Sequence, residues 1–215
     1  YVYDKLGRQI STLYPEVLVY QDTDIEGDLL NPQRFDVSTR PRETTWFDTV
    51  GNAVAHESAL GHYSYKIYDQ VDRVAYEIDG DGYVTGYGYD AFGNVAELTR
   101  YATAITDPVV NAPPHIAPSA PDLAELEVGI DFEAFDAWIN GATGLANING
   151  ADNRTINTIF DKSNRKLEVY QPEVLTVNDG SENIISLEQA ITHYQYNGWG
   201  ELLGEQKWLG DEVAT

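Results

Sequence analysis

This chain of 215 residues has no cysteine, no methionine and few basic residues. The lack of cysteine excludes a disulfide framework and a thiolate site. Thirteen lysines and arginines against 35 aspartates and glutamates give a net charge of −22. Such a field repels phosphate backbones, which argues against nucleic acid as a partner. It favours a soluble, exposed surface, with calcium binding or a saline habitat as alternatives. No apolar run approaches the length of a membrane span.

The chain does contain a short phrase that recurs six times. Each copy centres on an aspartate or asparagine that follows an aromatic residue. These pairs are Tyr3-Asp4, Phe47-Asp48, Tyr68-Asp69, Tyr89-Asp90, Phe160-Asp161 and Tyr196-Asn197. The third residues after the centre are Gly7, Gly51, Asp72, Gly93, Asn164 and Gly200. A repeat at fixed spacing indicates a repeat architecture, whose units usually build a surface, whereas a catalytic site is usually unique.

Each phrase predicts a β-hairpin. Aspartate at the first corner and glycine at the fourth indicate a type I turn followed by a left-handed residue, which closes a hairpin with a bulge. Flanks rich in tyrosine, valine and threonine favour strands. Asp48, Asp69 and Asp90 follow one another at intervals of 21 residues, which accommodates two strands and two turns. A longer period also appears, because Pro15-Glu16-Val17-Leu18 returns as Pro172-Glu173-Val174-Leu175.

The phrase resembles the motif of the YD-repeat, or RHS-repeat, family, which reads Tyr-x-Tyr-Asp-x-x-Gly-Arg and continues into an apolar strand. Residues 1–8 match it throughout, whereas the copy at Asp90 has Asn94 for the arginine and the copy at Asp69 has Asp72 for the glycine. The last two copies are weaker. The resemblance implies a curved β-sheet that winds into a hollow shell for encapsulation or display. It also implies a secreted or cell-surface bacterial parent protein, whose remainder is the main partner.

The repeats are interrupted between residues 107 and 153. Residues 107–121 are rich in proline and predict an extended linker. Apolar residues then fall near helical spacing over 122–140, with Asp131 as a candidate cap and Asn140-Gly141 as a stop. We expect one or two short helices packed on the sheet through Phe135 and Trp138, as a plug or as a docking element. The division is then 1–106 repeat sheet, 107–153 linker and helical insertion, and 154–215 further hairpins.

The sequence offers no constellation for catalysis, a cofactor or a metal ion. The four histidines are scattered and lack metal-ligand spacing. Asp79-Gly80-Asp81-Gly82 favours a plain turn, with a loose calcium site as the alternative, because Val84 stands where a calcium loop needs glycine. Carboxylates are too abundant for any pair to be singled out as catalytic. We therefore expect a protein that is not an enzyme.

Aromatic residues support a rival hypothesis, a glycan-binding or adhesive module. Trp46, Trp199 and Trp208 lie in or near predicted hairpins, where exposed rings could stack on sugars. Buried tryptophans would favour a shell, and a coplanar exposed row would favour a glycan or other surface partner. The main hypothesis remains an all-β fold of tandem antiparallel hairpins in a curved RHS-like sheet, with a short helical insertion near 122–140.

Overall fold

The computed structural model describes residues 1–22, 34–105, 131–141, 146, 152–177 and 185–209. Within them the chain forms 16 strands and one helix, α1 (Phe132–Ile139). The strands are β1 (Val2–Tyr3), β2 (Gln9–Leu13), β3 (Val17–Asp22), β4 (Arg34–Thr39), β5 (Arg42–Phe47), β6 (Ala53–Glu57), β7 (Tyr63–Tyr68), β8 (Val74–Ile78), β9 (Val84–Tyr89), β10 (Val95–Arg100), β11 (Arg154–Phe160), β12 (Lys166–Tyr170), β13 (Val174–Val177), β14 (Ile185–Glu188), β15 (Ala190–Tyr196) and β16 (Leu202–Leu209).

Twelve of these strands form one antiparallel sheet, which confirms the predicted all-β fold. Their order is β1-β2-β5-β6-β7-β8-β9-β10-β11-β12-β15-β16, so each strand pairs with the strand of this sheet that precedes it along the chain. Among the described strands the sheet is open, with β1 and β16 as its outermost strands. β10 pairs with β11, which makes the repeats on both sides of the insertion parts of one sheet. The three-part division of the chain stays a prediction.

The six phrases lie along the same edge of this sheet. They connect β1 to β2, β5 to β6, β7 to β8, β9 to β10, β11 to β12 and β15 to β16. We call this row of turns the turn edge; it comprises residues 4–8, 48–52, 69–73, 90–94, 161–165 and 197–201. Each of these hairpins shows a register shift beside its turn, as the bulge predicts.

The longer period corresponds to two extra hairpins at the opposite edge. β3 pairs with β4 after the first phrase, and β13 pairs with β14 after the fifth. Each hairpin begins two residues after a proline, at Val17 and at Val174. Proline has no N–H group to donate to a strand ladder, which explains why the strand of the main sheet ends before each extra hairpin.

Helix α1 packs on one face of the sheet and covers its best-buried part. Asp131 caps the helix by accepting hydrogen bonds from the N–H groups of Glu133 and Ala134. Phe135 and Ile139 are fully buried, and the Phe135 ring centroid lies 5.2 Å from that of Tyr76 on β8 and 5.3 Å from that of Trp138. The expectation of a short helix packed through Phe135 and Trp138 is confirmed. Residues 107–130, with the predicted linker and the first helical turns, lie outside the described residues.

Candidate functional site

The turn edge is built on the side chain of the first turn residue. Oδ1 of Asp4 accepts hydrogen bonds from the N–H groups of Leu6 and Arg8, both at 2.9 Å. The backbone closes the same turn, because Gly7 N–H donates to the Asp4 carbonyl at 3.1 Å. Asn197 does the same with its amide oxygen, which accepts from Trp199 and Glu201 N–H. The acceptor oxygen therefore matters more to the loop than the charge.

The fourth corner has the left-handed backbone that the sequence predicts. Gly7, Gly51 and Gly93 have φ of 79°, 106° and 85°. Asp72 and Asn164, which replace the glycine in two copies, have φ of 61° and 59°. These are residue types that tolerate this region, so the substitutions keep the turn intact.

The fifth turn residue links each turn to the next. Where it is arginine, it pairs with its own aspartate: Arg73 lies 2.7 Å from the Asp69 carboxylate, and Arg8 and Arg165 do the same. The guanidinium then lies over the aromatic ring that opens the next turn. The distances to the ring centroids are 4.4 Å for Arg8 on Phe47, 4.3 Å for Arg73 on Tyr89 and 4.5 Å for Arg165 on Tyr196.

Asparagine takes this position in the second and fourth turns and links them differently. The Asn52 amide donates to Asp48 in its own turn and to Asp72 in the next, at 3.2 and 3.1 Å. The Asn94 amide likewise donates to Asp90 and to Asn164. Arginine and asparagine thus alternate along the edge, and every pair of consecutive turns has a side-chain link.

The tyrosines before the turns add a further link. Tyr68 O–H donates to the Ala53 carbonyl at 3.0 Å, and Tyr89 O–H donates to the Val74 carbonyl at 2.7 Å. Tyr196 O–H reaches Lys166 in the same way. Each accepting carbonyl belongs to the first residue of the second strand in the preceding hairpin. The rings are half-buried, whereas Tyr3 on the outermost strand is exposed.

These contacts lower the pKa of several turn aspartates. Burial alone would raise the pKa of Asp69, but hydrogen bonds from the Arg73 backbone and side chain outweigh it and the pKa falls below its ordinary value. At Asp161 the hydrogen bonds from Arg165 are the main cause of a lowered pKa. At Asp90 the main cause is the hydrogen bond from the Asn94 side chain. These groups are held ionised as structural acceptors, unlike a proton donor, whose pKa would have to be raised.

The three tryptophans proposed as glycan contacts lie apart. Trp46 is half-buried on β5, with its ring centroid 6.1 Å from that of Tyr63. Trp208 is half-buried on β16 beside His193, and Trp199 is almost fully exposed on the turn edge. β5 and β16 are nine positions apart in the sheet, about 43 Å at ordinary strand spacing. They form no coplanar row, and their role in glycan binding stays a prediction.

The Asp79 loop at the opposite edge has the same hydrogen-bonding pattern as the turns of the turn edge. Oδ1 of Asp79 accepts from the N–H groups of Asp81 and Tyr83. Among the described residues, no three histidine, aspartate or glutamate side chains cluster in a way that could hold a metal ion. No helix in the described part of the chain is long and apolar enough to cross a membrane.

Sequence reasoning missed the links between turns. The alternation Arg8, Asn52, Arg73, Asn94, Arg165 is visible in the sequence. Its meaning is not, because each residue binds its own turn and the next one, which lies up to 70 residues away. The regular alternation of arginine and asparagine at the fifth turn position was the signal that could have found them.

Comparison with known proteins gives a distant likeness to toxin complexes. No family model and no curated protein matches the chain. A chain in the crystal structure of TcdB2-TccC3-Cdc42 is 11% identical over 98% of this chain and 11% of that one, with a TM-score of 0.28. A chain in the Photorhabdus luminescens Tc holotoxin pore, mutation TccC3-D651A, is 12% identical over 94% and 11%, with a TM-score of 0.25. This chain thus spans about a tenth of those chains, at TM-scores too low to define a shared fold.

Proposed function

We propose that this chain is a non-enzymatic structural segment of a large secreted or surface repeat protein, in which it forms part of a β-shell for encapsulation or display. The observation that carries the proposal is the continuous chain of links along the turn edge. Arg73 illustrates it, since it binds Asp69 in its own turn and stacks on Tyr89 of the next. A side-chain link at every junction is what a wall requires, and a single active site does not require it.

Three of the turn aspartates are already used as structural acceptors in this wall. The carboxylate of Asp69 accepts two backbone N–H groups and the Arg73 guanidinium. The same is true of Asp4 and Asp161. A group that is held ionised by its own loop is a poor general acid and is shielded as a nucleophile. This use of the carboxylates supports a scaffold.

The open ends of the sheet support a place within a longer array. β1 and β16 each have one hydrogen-bonded neighbour among the described strands. Unpaired edges are exposed to unwanted pairing unless another strand covers them. Further hairpins of the parent protein on both sides would cover them.

The test is the structure of the whole parent protein by electron cryo-microscopy. We expect further Tyr-Asp hairpins of the same polypeptide to pair with β1 and β16, and the wall to enclose or present another segment. Ends that are covered by unrelated elements would make this chain a self-contained domain, and the proposal would then be wrong.

The adhesive alternative rests on one observation, the exposed ring of Trp199. A glycan array probed with the wild-type chain, Trp199→Ala and Phe92→Ala tests it, because Phe92 has the equivalent position in the fourth turn and serves as a matched control. The shell proposal expects no binding above background by any of the three. Binding that is lost only in Trp199→Ala would establish the adhesive module.

A further inference from the structure

The last turn of the turn edge has the donor and the acceptor of its side-chain link exchanged. In the other five turns the first residue is an aspartate, and the fifth is an arginine or asparagine that donates to it. In the last turn the first residue is Asn197, and its Nδ2 donates to Oε2 of Glu201, the fifth residue, at 2.7 Å. The link is kept, but an amide now occupies the first position, where it is open to a reaction that a carboxylate does not undergo.

Gly198 follows this asparagine, although the turn does not require glycine at its second position. The second residues of the other five turns are Lys5, Thr49, Gln70, Ala91 and Lys162. A Cβ added at Gly198 would meet no other atom within 4 Å, and its φ is not in the left-handed region. Gly198 is exposed, and its N–H donates to no acceptor in the described part of the chain. Its backbone nitrogen is therefore unhindered.

The turn also holds the Asn197 side chain in a way that favours attack on Cγ. Trp199 and Glu201 donate their N–H groups to Oδ1, both at 2.9 Å. Oδ1 is the atom on which negative charge grows when a nucleophile adds to Cγ, so these two donors act as an oxyanion hole does. The Gly198 nitrogen is the backbone nucleophile whose addition to Cγ closes a five-membered ring, the reaction that makes asparagine thermolabile.

We propose that Asn197 is a self-modification site, at which the turn deamidates its own asparagine and thereby loosens the last hairpin. The Gly198 nitrogen forms a bond to Cγ, the bond from Cγ to Nδ2 breaks, and Nδ2 leaves as ammonia with the proton that Gly198 gives up. Water then opens the cyclic imide. Opening at Cγ gives aspartate, and opening at the main-chain carbonyl carbon of residue 197 gives isoaspartate.

Both products weaken the turn that joins β15 to β16. An aspartate at position 197 would set its carboxylate against that of Glu201, so that repulsion between like charges replaces the present hydrogen bond. An isoaspartate would add a carbon atom to the main chain and take Oδ1 away from the Trp199 and Glu201 N–H groups. The loss falls on β16, the outermost strand at this end of the described sheet.

A second Asn-Gly pair, Asn140-Gly141 at the end of α1, provides an internal comparison. The Gly141 N–H donates to the Trp138 carbonyl at 3.1 Å, and Asn140 Nδ2 donates to the Asp136 carbonyl at 3.0 Å. A Cβ added at Gly141 would lie 3.2 Å from two carbonyl oxygens of the helix, so the surroundings of this glycine are crowded. We expect the helix end to protect Asn140. The third such pair, at residues 149 and 150, lies outside the described residues.

Peptide mass spectrometry of the whole chain, aged in a mildly alkaline buffer, tests the proposal. It measures conversion at Asn197 and Asn140 separately and distinguishes aspartate from isoaspartate by fragmentation. The same ageing in urea gives the rates of the unfolded chain. The variant is Gly198→Ala, which suits the turn because Ala91 has the same position in the fourth turn. Asn197→Asp represents the first product.

We expect Asn197 of the folded chain to convert several-fold faster than Asn140 and at least as fast as in urea, with isoaspartate among the products. Gly198→Ala should slow the conversion at Asn197 several-fold with an unchanged circular dichroism spectrum, because the methyl group hinders the attacking nitrogen. Asn197→Asp should unfold at a lower urea concentration than the wild type, and Asn197→Asp/Glu201→Arg should recover, because it restores the pair found at Asp4 and Arg8.

Three results would overturn the proposal. A slower conversion of Asn197 in the folded chain than in urea would mean that the turn protects its asparagine. An unchanged rate in Gly198→Ala, with aspartate as the sole product, would mean that water attacks the amide directly. An Asn197→Asp variant as stable as the wild type would mean that the modification does not loosen the hairpin.

Discussion

At the residue scale, a side-chain oxygen of the first turn residue accepts hydrogen bonds from backbone N–H groups that have no strand partner within the turn. Oδ1 of Asp69 accepts from Val71 and Arg73 N–H, while Oδ2 accepts from the Arg73 guanidinium. Asn197 keeps the first set of bonds without the charge. Backbone donors that lose their partner carry a desolvation cost, and the turn therefore depends on the acceptor first and on the ion pair second.

Asp69→Ala should lower the free energy of unfolding by about 1–3 kcal/mol, because two backbone donors and a guanidinium lose their acceptor. Asp69→Asn should cost less, because the amide oxygen remains, as it does at Asn197. Urea denaturation of both variants measures the difference. Equal losses in the two variants would show that charge, and not the acceptor, governs the turn.

The ion pair should make stability depend on pH in the acid range. The pKa of Asp69 is lower in the folded chain than its ordinary value, so its charge stabilises the fold above about pH 4 and this contribution is lost as the pH falls through the folded pKa. The gap in urea midpoint between wild type and Asp69→Asn should therefore shrink from neutral pH to about pH 3. A gap that stays constant would contradict the lowered pKa.

Gly93→Val should cost over about 1 kcal/mol, because a β-branched residue is strained at the φ of this corner. A Cβ added at Gly93 would have no other atom within 4 Å, so the cost comes from backbone conformation alone. Gly93→Asn is the matched control and should cost little, since Asn164 adopts φ 59° at the same corner. Thermal denaturation of both variants measures the difference in stability, and equal melting temperatures for the two variants would exclude strain as the cause.

At the element scale, the hairpins could be predicted from local sequence, whereas the contacts between elements could not. Asp-x-x-Gly determines its turn within five residues, and the capped pattern from Asp131 to Asn140 determines α1. The place where α1 lies is a different matter, because Tyr76 O–H donates to Asp136, which is 60 residues away. Local periodicity holds no information about such a pair. The same holds for Asn94 and Asn164 in the turn links.

Phe135→Ala should lower the free energy of unfolding by about 3–5 kcal/mol, because it leaves a cavity beneath α1. The ring has no exposed surface and packs on Tyr76 and Trp138. Phe92→Ala is the matched control, since the Phe92 ring is exposed and its loss should change stability by about 0.5 kcal/mol or less. If both variants unfold at the same urea concentration, α1 does not stabilise the sheet.

Arg73 and Tyr89 should show an energetic coupling of about 0.5–1 kcal/mol in a double-mutant cycle. The variants are Arg73→Asn, a residue the chain itself uses at Asn52 and Asn94, and Tyr89→Leu, which removes the ring. A second cycle, between Arg100 and Tyr89, serves as control and should give no coupling, because the partner of Arg100 is Asp79. Equal values in both cycles would mean that stacking does not link the turns.

At the scale of the whole molecule, stability is concentrated in the middle of the sheet. The buried core centres on β6 to β9, where Tyr65, Ile67, Ile78 and Val84 lie beneath α1 or beside it. The ends differ: β1 has two residues, both exposed, and β16 is exposed along its length except at Trp208. In a linear array each repeat is supported by its neighbours, so the terminal repeats have half the support of the central ones.

Hydrogen exchange should therefore follow a gradient along the sheet. Amides of β7, β8 and β9 should exchange slowest, because they open only when the core unfolds, and amides of β1 and β16 should exchange fastest, because fraying of an outer strand exposes no core. Mass spectrometry of the isolated chain measures this. The same strands in the longer parent protein provide the control: β1 and β16 should slow down once neighbouring hairpins pair with them, while β8 should not change. Uniform protection in the isolated chain would mean that it folds as one cooperative unit, and the view of this chain as a section of a longer wall would lose its energetic basis.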